Sequence, residues 1–281
     1  MLVTPDDINK IIVAIKNRSN YDFSNYSMKS FTRRIEKSLF DFKLDIDKLL
    51  KAIKDDEDFF IEKLVKNITV NTTELFRDPK AWHALKYKIF NQFNEVRRIN
   101  IWHAGCSTGQ EVYSMLILLN ELDLLEKVNL FATDINDDVL KTAKKAEYTY
   151  RFNMEYFENF DKVIKENPFN YEIINDVPYT KYFEIDKVND VIKVHDFLRK
   201  KPIWLKHDLV TEGNVFNTKF DLIVCRNVLI YFNTDLQSSV FETFYHSLFR
   251  SGVLMIGIHE SIIGPIANRF VKSGLIYLRK D

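Results

Sequence analysis

The first part of the chain, residues 4–66, has the apolar spacing of amphipathic helices. Apolar side chains recur every three or four residues, and the alternation typical of strands is absent. These stripes consist of Ile8, Ile11, Ile12 and Ile15 and, farther on, of Phe31, Ile35 and Leu39. A threonine, a proline and two acids at residues 4–7 are typical of a helix start. We therefore expect a small N-terminal all-helical domain over residues 1–66.

From residue 67 onward, apolar strands alternate with amphipathic helices. Helices are predicted at about 110–122 and 136–146. Strands are predicted near residue 99 and at 128–134, 202–207, 220–225 and 251–258, with two short strands within 269–278. Such alternation indicates an α/β fold, a Rossmann-like, doubly wound and mainly parallel sheet, to which the last two strands would add an antiparallel edge. This second domain is expected to span residues 67–281.

A stretch inside the second domain, residues 148–195, departs from this alternation. It is rich in aromatic residues, low in glycine and uneven in period. Residues 179–183 and 191–194 have the character of strands. We therefore predict a small antiparallel β insertion at about residues 179–196.

Composition excludes several classes of protein. The chain is 46% hydrophobic and 28% charged, and its 40 Lys and Arg residues balance its 40 Asp and Glu residues. There is no net charge to attract nucleic acid. No apolar run reaches the roughly 18 residues of a membrane helix, and the first residues lack the order of a signal peptide. We expect a cytoplasmic protein without a nucleic-acid partner and without membrane insertion.

The two cysteines, Cys106 and Cys225, provide neither a disulfide framework nor the spacing of metal ligands. Both fall beside predicted strand ends, where small buried residues next to a ligand pocket are favoured over a redox pair. We expect no metal site.

The strongest chemical signal lies at residues 99–111, which read as a buried strand, a tight glycine turn and the start of a helix. Two of only 7 glycines, Gly105 and Gly109, lie in this turn, where the backbone approaches a ligand or adopts positive φ. Asp134 ends the next strand, where a carboxylate can accept hydrogen bonds from a ribose diol. The pattern G-x-G-x-x-G is incomplete, so S-adenosylmethionine is favoured over a dinucleotide.

Polar residues near other predicted strand ends extend the candidate site. Arg77 ends a polar segment and offers a fork to a carboxylate, although a helix cap with a surface arginine fits equally well. Glu111 suits an ammonium group or simply the helix dipole. Beyond the strand at 220–225, Arg226, Asn227 and Tyr231 have either a ligand-facing or a structural role.

Two further positions have simpler interpretations. Asp208 follows the strand at 202–207, where it can accept a hydrogen bond from an adenine amino group. His103 lies within a strand, and we expect a satisfied core histidine rather than a base.

Four segments, taken in this order and separation, resemble the CheR family of chemotaxis-receptor glutamate methyltransferases. They read Asn-Thr-Thr-Glu-Leu-Phe-Arg from residue 71, Ala-Gly-Cys-Ser-Thr-Gly-Gln-Glu-Val-Tyr-Ser from 104, Phe-Ala-Thr-Asp-Ile from 131 and Cys-Arg-Asn-Val-Leu-Ile-Tyr-Phe from 225. The likeness runs from about residue 66 to the end, and the helical N-terminus fits it. It departs at Gln110, where many members have an acid, and at Asp208, where asparagine is common.

The resemblance implies an activity and a set of site residues. The activity is methyl transfer from S-adenosylmethionine to glutamate carboxylates of chemotaxis receptors in sensory adaptation, which forms methyl esters and S-adenosylhomocysteine. The implied cofactor-binding residues are Asn71, Thr73, Arg77, Gly105, Glu111, Asp134, Asp208, Leu209, Arg226 and Asn227. Arg77 and Tyr231 are expected to orient the groups around the methyl.

A basic stripe in the helical region is the candidate substrate-binding surface. Lys29, Arg33 and Lys37 recur every four residues, with Arg34 beside them. The residues alone fit a solvated helix face equally well, but the resemblance favours docking of the receptors' cytoplasmic methylation helices. We expect reversal of Arg33 and Arg34 to glutamate to weaken methylation and to leave cofactor affinity intact.

The resemblance also bears on tethering. In some members the β insertion binds a receptor's C-terminal pentapeptide through a loop that contains glycines. The corresponding loop here, residues 184–190, is short and has no glycine. We therefore expect receptor binding without a pentapeptide tether, by a monomer.

Two rival functions stay open. One is a non-catalytic S-adenosylmethionine-binding regulatory module, against which the joint presence of Arg77, Arg226, Asn227 and Tyr231 argues. The other is a methyltransferase for another carboxylate or a small molecule, against which the basic stripe argues. A nicotinamide dehydrogenase is disfavoured by the incomplete glycine pattern.

Overall fold

A computed structural model describes residues 3–55, 58–69, 71–93 and 95–280. Helices dominate the N-terminal part, and strands alternate with helices in the rest. The helices are α1 (Pro5–Arg18), α2 (Met28–Phe42), α3 (Ile46–Asp55), α4 (Asp58–Ile68), α5 (Pro79–Ala84), α6 (Gln110–Glu121), α7 (Asp137–Lys145), α8 (Tyr150–Asn153), α9 (Tyr156–Phe160), α10 (Asp196–Arg199) and α11 (Thr234–Ser247). The strands are β1 (Ile99–Ala104), β2 (Val128–Asp134), β3 (Glu147–Thr149), β4 (Phe183–Asp186), β5 (Val191–Val194), β6 (Ile203–Lys206), β7 (Phe220–Cys225), β8 (Leu248–Ile256), β9 (Phe270–Ser273) and β10 (Ile276–Arg279).

The N-terminal helices α1 to α4 form a core of their own. Helix α1 begins with a capping box, in which Asp7 N–H donates to Thr4 Oγ1 at 3.2 Å and Thr4 N–H donates to Asp7 Oδ2 at 3.1 Å. The predicted apolar stripes face inward, and residues such as Ile11 and Ile35 are fully buried. The helical character expected from the apolar spacing is present.

The main sheet has seven strands in the order β6-β2-β1-β7-β8-β10-β9. Neighbours from β6 to β8 run parallel, and β10 and β9 are antiparallel to the strands they pair with. This confirms the prediction of a mainly parallel α/β sheet with an antiparallel edge.

Helices cover both faces of this sheet because successive side chains of a strand point to opposite sides. Ile101 of β1 packs into the same core as Leu116 of α6. Its neighbour Trp102 faces the other way, and its ring lies 5.6 Å from that of Phe244 in α11. The sheet is therefore doubly wound, with one core on each side.

The strand order reverses between β1 and β7, since the chain adds β2 on one side of β1 and β7 on the other. In open α/β sheets the crevice at such a point, at the carboxyl ends of the strands, is where ligands bind. Gly105, Asp134, His207 and Arg226 all lie at this edge. The topology thus brings together the strand-end residues that the sequence singled out.

The helical region lies over this edge of the sheet and is hydrogen-bonded to it. Ser27 N–H donates to the Tyr231 carbonyl at 2.8 Å, and Asn233 N–H donates to the Asn25 carbonyl at 2.9 Å. Lys206 Nζ at the end of β6 donates to Tyr21 Oη at 2.9 Å. These bonds hold the segment before α2 against the loop after β7.

A second, three-stranded antiparallel sheet has the order β3-β5-β4. The predicted strand at 179–183 was wrong, because Tyr179–Lys181 forms a 3₁₀ turn and the strand is Phe183–Asp186. The Tyr179 ring stacks on Phe157 at 4.3 Å and its hydroxyl donates to Asp161 at 2.6 Å, which favours a turn there. The third strand, β3, lies before the predicted insertion and was not foreseen.

In the described part of the chain, no helix is both long and apolar enough to cross a membrane.

Gly109 offers a test of the turn that opens α6. Its φ is +88°, and a Cβ there would lie 2.9 Å from Ala143 Cβ. We expect Gly109→Ala to lower the free energy of unfolding by about 1–3 kcal/mol, because it adds both backbone strain and a clash. Urea denaturation followed by circular dichroism measures the loss.

Gly213→Ala is the matched control for this variant. Gly213 has no atom within 4 Å of an added Cβ, so its free energy of unfolding is expected to change by less than about 0.5 kcal/mol. Equal stability of the two variants would contradict the structure of the turn.

Candidate active site

A cleft of about 850 Å³, which includes space open to solvent, lies at the carboxyl ends of the strands beneath the N-terminal helices. From the α/β domain its lining includes Gly105, Ser107, Asp134, His207, Asp208, Leu209, Arg226, Asn227 and Tyr231, and from the preceding segments Tyr26, Ser30, Phe31, Arg34, Asn71 and Thr72. Both parts of the chain therefore contribute walls.

Asp134 is fixed at the end of β2 by the turn that follows β1. Ser107 N–H donates to its Oδ2 at 2.8 Å, and Asn136 N–H donates to its Oδ1 at 3.0 Å. Burial raises the pKa of Asp134, although these backbone donors act against that rise. The result is a rigid, buried acceptor on the wall of the cleft.

A buried ion-pair network lies behind the cleft and centres on Arg226. The Arg226 side chain is 0% exposed, and it donates to Glu111 Oε2 at 2.7 Å and to Asp78 Oδ2 at 2.6 Å. It also donates to the Arg77 carbonyl at 3.0 Å. One guanidinium therefore joins the end of β7, the first turn of α6 and the segment that precedes α5.

The charge of Glu111 depends on this network. Burial acts to raise the pKa of Glu111, but the Arg226 guanidinium and His103 outweigh it and hold that pKa below its usual value. His103 Nδ1 lies 3.4 Å from Glu111 Oε1. Glu111 is thus an ionised partner of Arg226.

Sequence reasoning missed Asp78. An aspartate directly before Pro79 at a helix start indicates an N-cap. In the structure Asp78 has a φ of +58° and makes no cap hydrogen bond, and its carboxylate binds Arg226 instead. The local sequence around Asp78 indicates only a helix cap, and it gives no sign of the contact with Arg226, which is distant in the chain.

Asp208 and Asn227 lie on the cleft wall, after β6 and after β7 respectively. Asp208 accepts hydrogen bonds from Val210 N–H at 2.9 Å and from Thr211 Oγ1 at 3.0 Å, and burial raises its pKa. Asn227 has a φ of +59°, which an asparagine tolerates better than most residues. The Asp208 side chain is therefore held by a local turn, and the backbone turns sharply at Asn227.

The structure separates the predicted site residues into two groups. Those that line the cleft are Asn71, Gly105, Asp134, Asp208, Leu209, Arg226, Asn227 and Tyr231. Thr73, Arg77 and Glu111 are not part of this lining. The Arg77 carbonyl accepts hydrogen bonds from Arg226 and from Trp82 Nε1, so the backbone of this residue supports the network.

The four basic residues of the stripe on α2 also fall into two groups, one exposed to solvent and one in the cleft. Lys29, Arg33 and Lys37 are exposed, whereas Arg34 is half-buried and lines the cleft. Arg34 Nε is buried without a hydrogen-bond partner in the described ranges. Reversal of both arginines would therefore no longer separate an effect on receptor docking from an effect inside the cleft.

The remaining candidates are buried in the core. His103 is 1% exposed, and neither ring nitrogen makes a hydrogen bond within residues 3–55, 58–69, 71–93 and 95–280, although Nδ1 lies 3.4 Å from the Glu111 carboxylate. It is therefore a core histidine whose expected hydrogen bonds are not formed. Cys106 and Cys225 are unpaired thiols, and burial raises the pKa of both. Among the residues that the structure describes, no group of three potential ligands is placed to hold a metal ion.

The doubly wound sheet, with a strand-end cleft lined by the buried carboxylate of Asp134, is typical of Rossmann-like nucleotide-binding proteins. Residues 71–275 match the family described as CheR methyltransferase, SAM binding domain. The chain belongs to the CheR family and is an S-adenosylmethionine-dependent methyltransferase.

Relatives of similar length support this assignment. A Pseudomonas putida protein named "Putative methyltransferase Cher3" is 35% identical over 260 residues, which cover 92% of this chain and 90% of that protein. A chemotaxis protein methyltransferase of Listeria monocytogenes is 29% identical over 89% of this chain and 88% of its own. One from Borreliella burgdorferi is 28% identical over 93% and 90%.

The Arg226 network yields a stability prediction. Arg226→Gln would leave Glu111 and Asp78 as neighbouring carboxylates without their cation, and we expect it to lower the free energy of unfolding by about 3–5 kcal/mol. Chemical denaturation measures this loss. Arg269→Gln, which removes an ion pair with Glu242 that is nearly half exposed, is expected to cost less than about 1 kcal/mol. A similar loss of unfolding free energy in Arg226→Gln and Arg269→Gln would contradict the stabilising role of the Arg226 network.

Proposed function

We propose that this protein transfers a methyl group from S-adenosylmethionine to glutamate side-chain carboxylates of chemotaxis receptors, forming methyl esters. The observation that carries the proposal is the position of Arg34. It supplies a cation to the same cleft as Asp134, and its Nε is buried without a hydrogen-bond partner among the described residues. The proposal is supported by relatives that are named chemotaxis protein methyltransferases.

The residues of the cleft fit the proposed cofactor. Asp134 presents a fixed acceptor for the ribose hydroxyls, and Asp208 with Leu209 forms the wall for the adenine. Behind them, two carboxylates face one guanidinium, which leaves an excess of negative charge that suits a cationic ligand. Asn71, Gly105 and Asn227 would contribute the remaining contacts, with Thr73, Arg77 and Glu111 at the margin.

The acceptor chemistry needs no strong base. A glutamate side chain has a pKa of about 4.3 and is ionised at pH 7. When bound, S-adenosylmethionine supplies an electrophilic methyl on a sulfonium, which a carboxylate oxygen accepts to leave S-adenosylhomocysteine. The protein's task is then to hold the carboxylate in line and to exclude water. We assign this orientation to Arg34 and Tyr231 on the cleft wall, together with Arg77.

The exposed residues of α2 would bind the receptor. Lys29, Arg33 and Lys37 form a basic face outside the cleft, complementary to the acidic methylation helices of a receptor. In the small sheet, the hairpin after β4 is closed by Asp186, which accepts hydrogen bonds from the N–H groups of Val188 and Asn189. We propose that a cytoplasmic monomer binds receptors through the basic face, without a pentapeptide tether.

The proposed reaction is tested by incubation with methyl-labelled S-adenosylmethionine and receptor cytoplasmic fragments. We expect label to enter the fragments and to be released as methanol by mild base, at equal rates with and without a C-terminal pentapeptide. Cofactor binding in calorimetry without any ester would favour the regulatory-module alternative. Label that is stable to base would point to another acceptor.

A pair of neighbouring arginines separates docking from chemistry. Arg33→Glu reverses an exposed charge, so we expect it to raise the KM for the receptor fragment about tenfold and to leave kcat unchanged. Arg34→Gln removes the cleft cation, so we expect a lower kcat instead. Steady-state kinetics measure both, and identical effects of the two variants would refute the division of the stripe.

A further inference from the structure

The loop that follows β7 carries several residues of the cleft wall. Arg226, Asn227 and Tyr231 all come from this loop, which turns sharply at Asn227 and ends in a 3₁₀ turn at Leu229–Tyr231. The loop itself belongs to neither a strand nor a long helix. Its backbone therefore needs other hydrogen-bond partners to keep these side chains in place.

One carboxylate, that of Glu260, binds this loop at two points. Glu260 Oε2 accepts a hydrogen bond from Asn227 N–H at 3.0 Å, and Oε1 accepts one from Ile230 N–H at 3.3 Å. Oε2 also accepts a bond from Gly257 N–H at 2.6 Å, just beyond the end of β8. Bonds from backbone N–H groups to an ionised oxygen are stronger than neutral ones. Glu260 thus links the loop after β7 to the end of β8.

The neighbouring glycine is required by this contact. A Cβ at Gly257 would lie 2.7 Å from Glu260 Oε2 and 3.0 Å from Asn227 N. Any larger residue would push the carboxylate and the loop apart. The close approach of the two segments is therefore part of how the loop is held.

Glu260 has no other evident use. It is absent from the cleft lining and forms no salt bridge in the part of the chain that the structure describes. The other side of the loop is held independently, since Gln237 Nε2 donates to the Leu229 and Phe232 carbonyls. Two carbonyls of the loop thus bind α11, and two of its N–H groups bind Glu260.

We propose that Glu260 is a positioning residue for methyl transfer, which fixes the loop so that Asn227 and Tyr231 face the bound cofactor and acceptor. The part of this proposal that concerns cofactor binding requires only that the cofactor binds in the cleft. The part that concerns methyl transfer rests on the proposed function. The carboxylate itself touches neither ligand and acts through the backbone of the loop.

The test compares Glu260→Ala with Glu260→Gln. The alanine variant loses every hydrogen bond that the carboxylate accepts. The glutamine variant keeps one oxygen, which can accept hydrogen bonds from both Asn227 N–H and Gly257 N–H. We expect Glu260→Ala to weaken binding of S-adenosylhomocysteine about tenfold or more in calorimetry and to lower kcat similarly, with Glu260→Gln restoring most of both. Glu242→Ala, at an exposed site on α11, is the control and should bind and react as wild type.

Two measurements distinguish positioning from a purely structural role. Thermal melting, with assays run well below the transition, shows whether the variants are folded. A lower melting temperature with unchanged affinity and kcat would overturn the proposal. If Glu260 acts through the loop, the kcat losses of Glu260→Ala and Tyr231→Phe should also be less than additive, and full additivity would contradict it.

The calorimetric measurement of S-adenosylhomocysteine binding tests the role of Glu260 independently of the proposed function. Failure of the wild-type protein to form base-labile esters would remove the proposed acceptor and leave the calorimetric comparison valid. Equal S-adenosylhomocysteine affinity in wild type and Glu260→Ala would refute the positioning role even if esters form.

Discussion

The buried guanidinium of Arg226 is the contact on which the cleft depends. A charge without solvent is stable only when it is paired and hydrogen-bonded. The two terminal nitrogens of Arg226 meet this need with Glu111, Asp78 and the Arg77 carbonyl, whereas Arg226 Nε has no hydrogen-bond partner among the described residues. These partners come from two separate segments, and Arg226 itself comes from a third, so pairing the charge also fixes where the three segments meet. The arginine holds β7, α6 and the segment before α5 in one arrangement.

Two parts of the cleft wall are joined to that arrangement. The turn after β1 leads into α6, and Arg226 holds the first turn of this helix through Glu111. Ser107, in the turn between β1 and α6, donates its N–H to Asp134. The loop after β7 continues from Arg226 to Tyr231, and Glu260 and Gln237 hold its two sides. A nucleotide site at the carboxyl ends of parallel strands is the outcome.

The helical region completes the cleft rather than standing apart from it. Ser27 N–H binds the Tyr231 carbonyl, and Arg34 of α2 lines the cleft opposite the sheet. A substrate that docks on the outer, basic face of α2 would therefore lie on the same helix that contributes Arg34 to the cleft wall. This proximity links the proposed receptor surface with the proposed reaction.

Much of the fold was predictable because its signals are local. Apolar runs such as β1 and β2, separated by an amphipathic helix, indicate a parallel sheet, and strand ends indicate the ligand edge. The Tyr179 turn was missed because its aromatic packing against Phe157 depends on tertiary contacts.

The same limit applies to the site. Asp134 and Asn227 were found from strand ends, but Asp78 and Glu260 bind partners distant in the chain, and no local pattern reveals such pairs. Arg34 was identified as one of four surface cations, and only the packing of α2 against the sheet shows that it enters the cleft.

A crystal structure with S-adenosylhomocysteine tests the account most directly. We expect the ligand in the cleft between the sheet and α2, with its ribose hydroxyls within hydrogen-bond distance of Asp134, its adenine against Asp208 and Leu209, and its sulfur on the side of Tyr231 and Arg34. A ligand bound elsewhere, or one whose sulfur is turned away from Arg34, would contradict the proposed site.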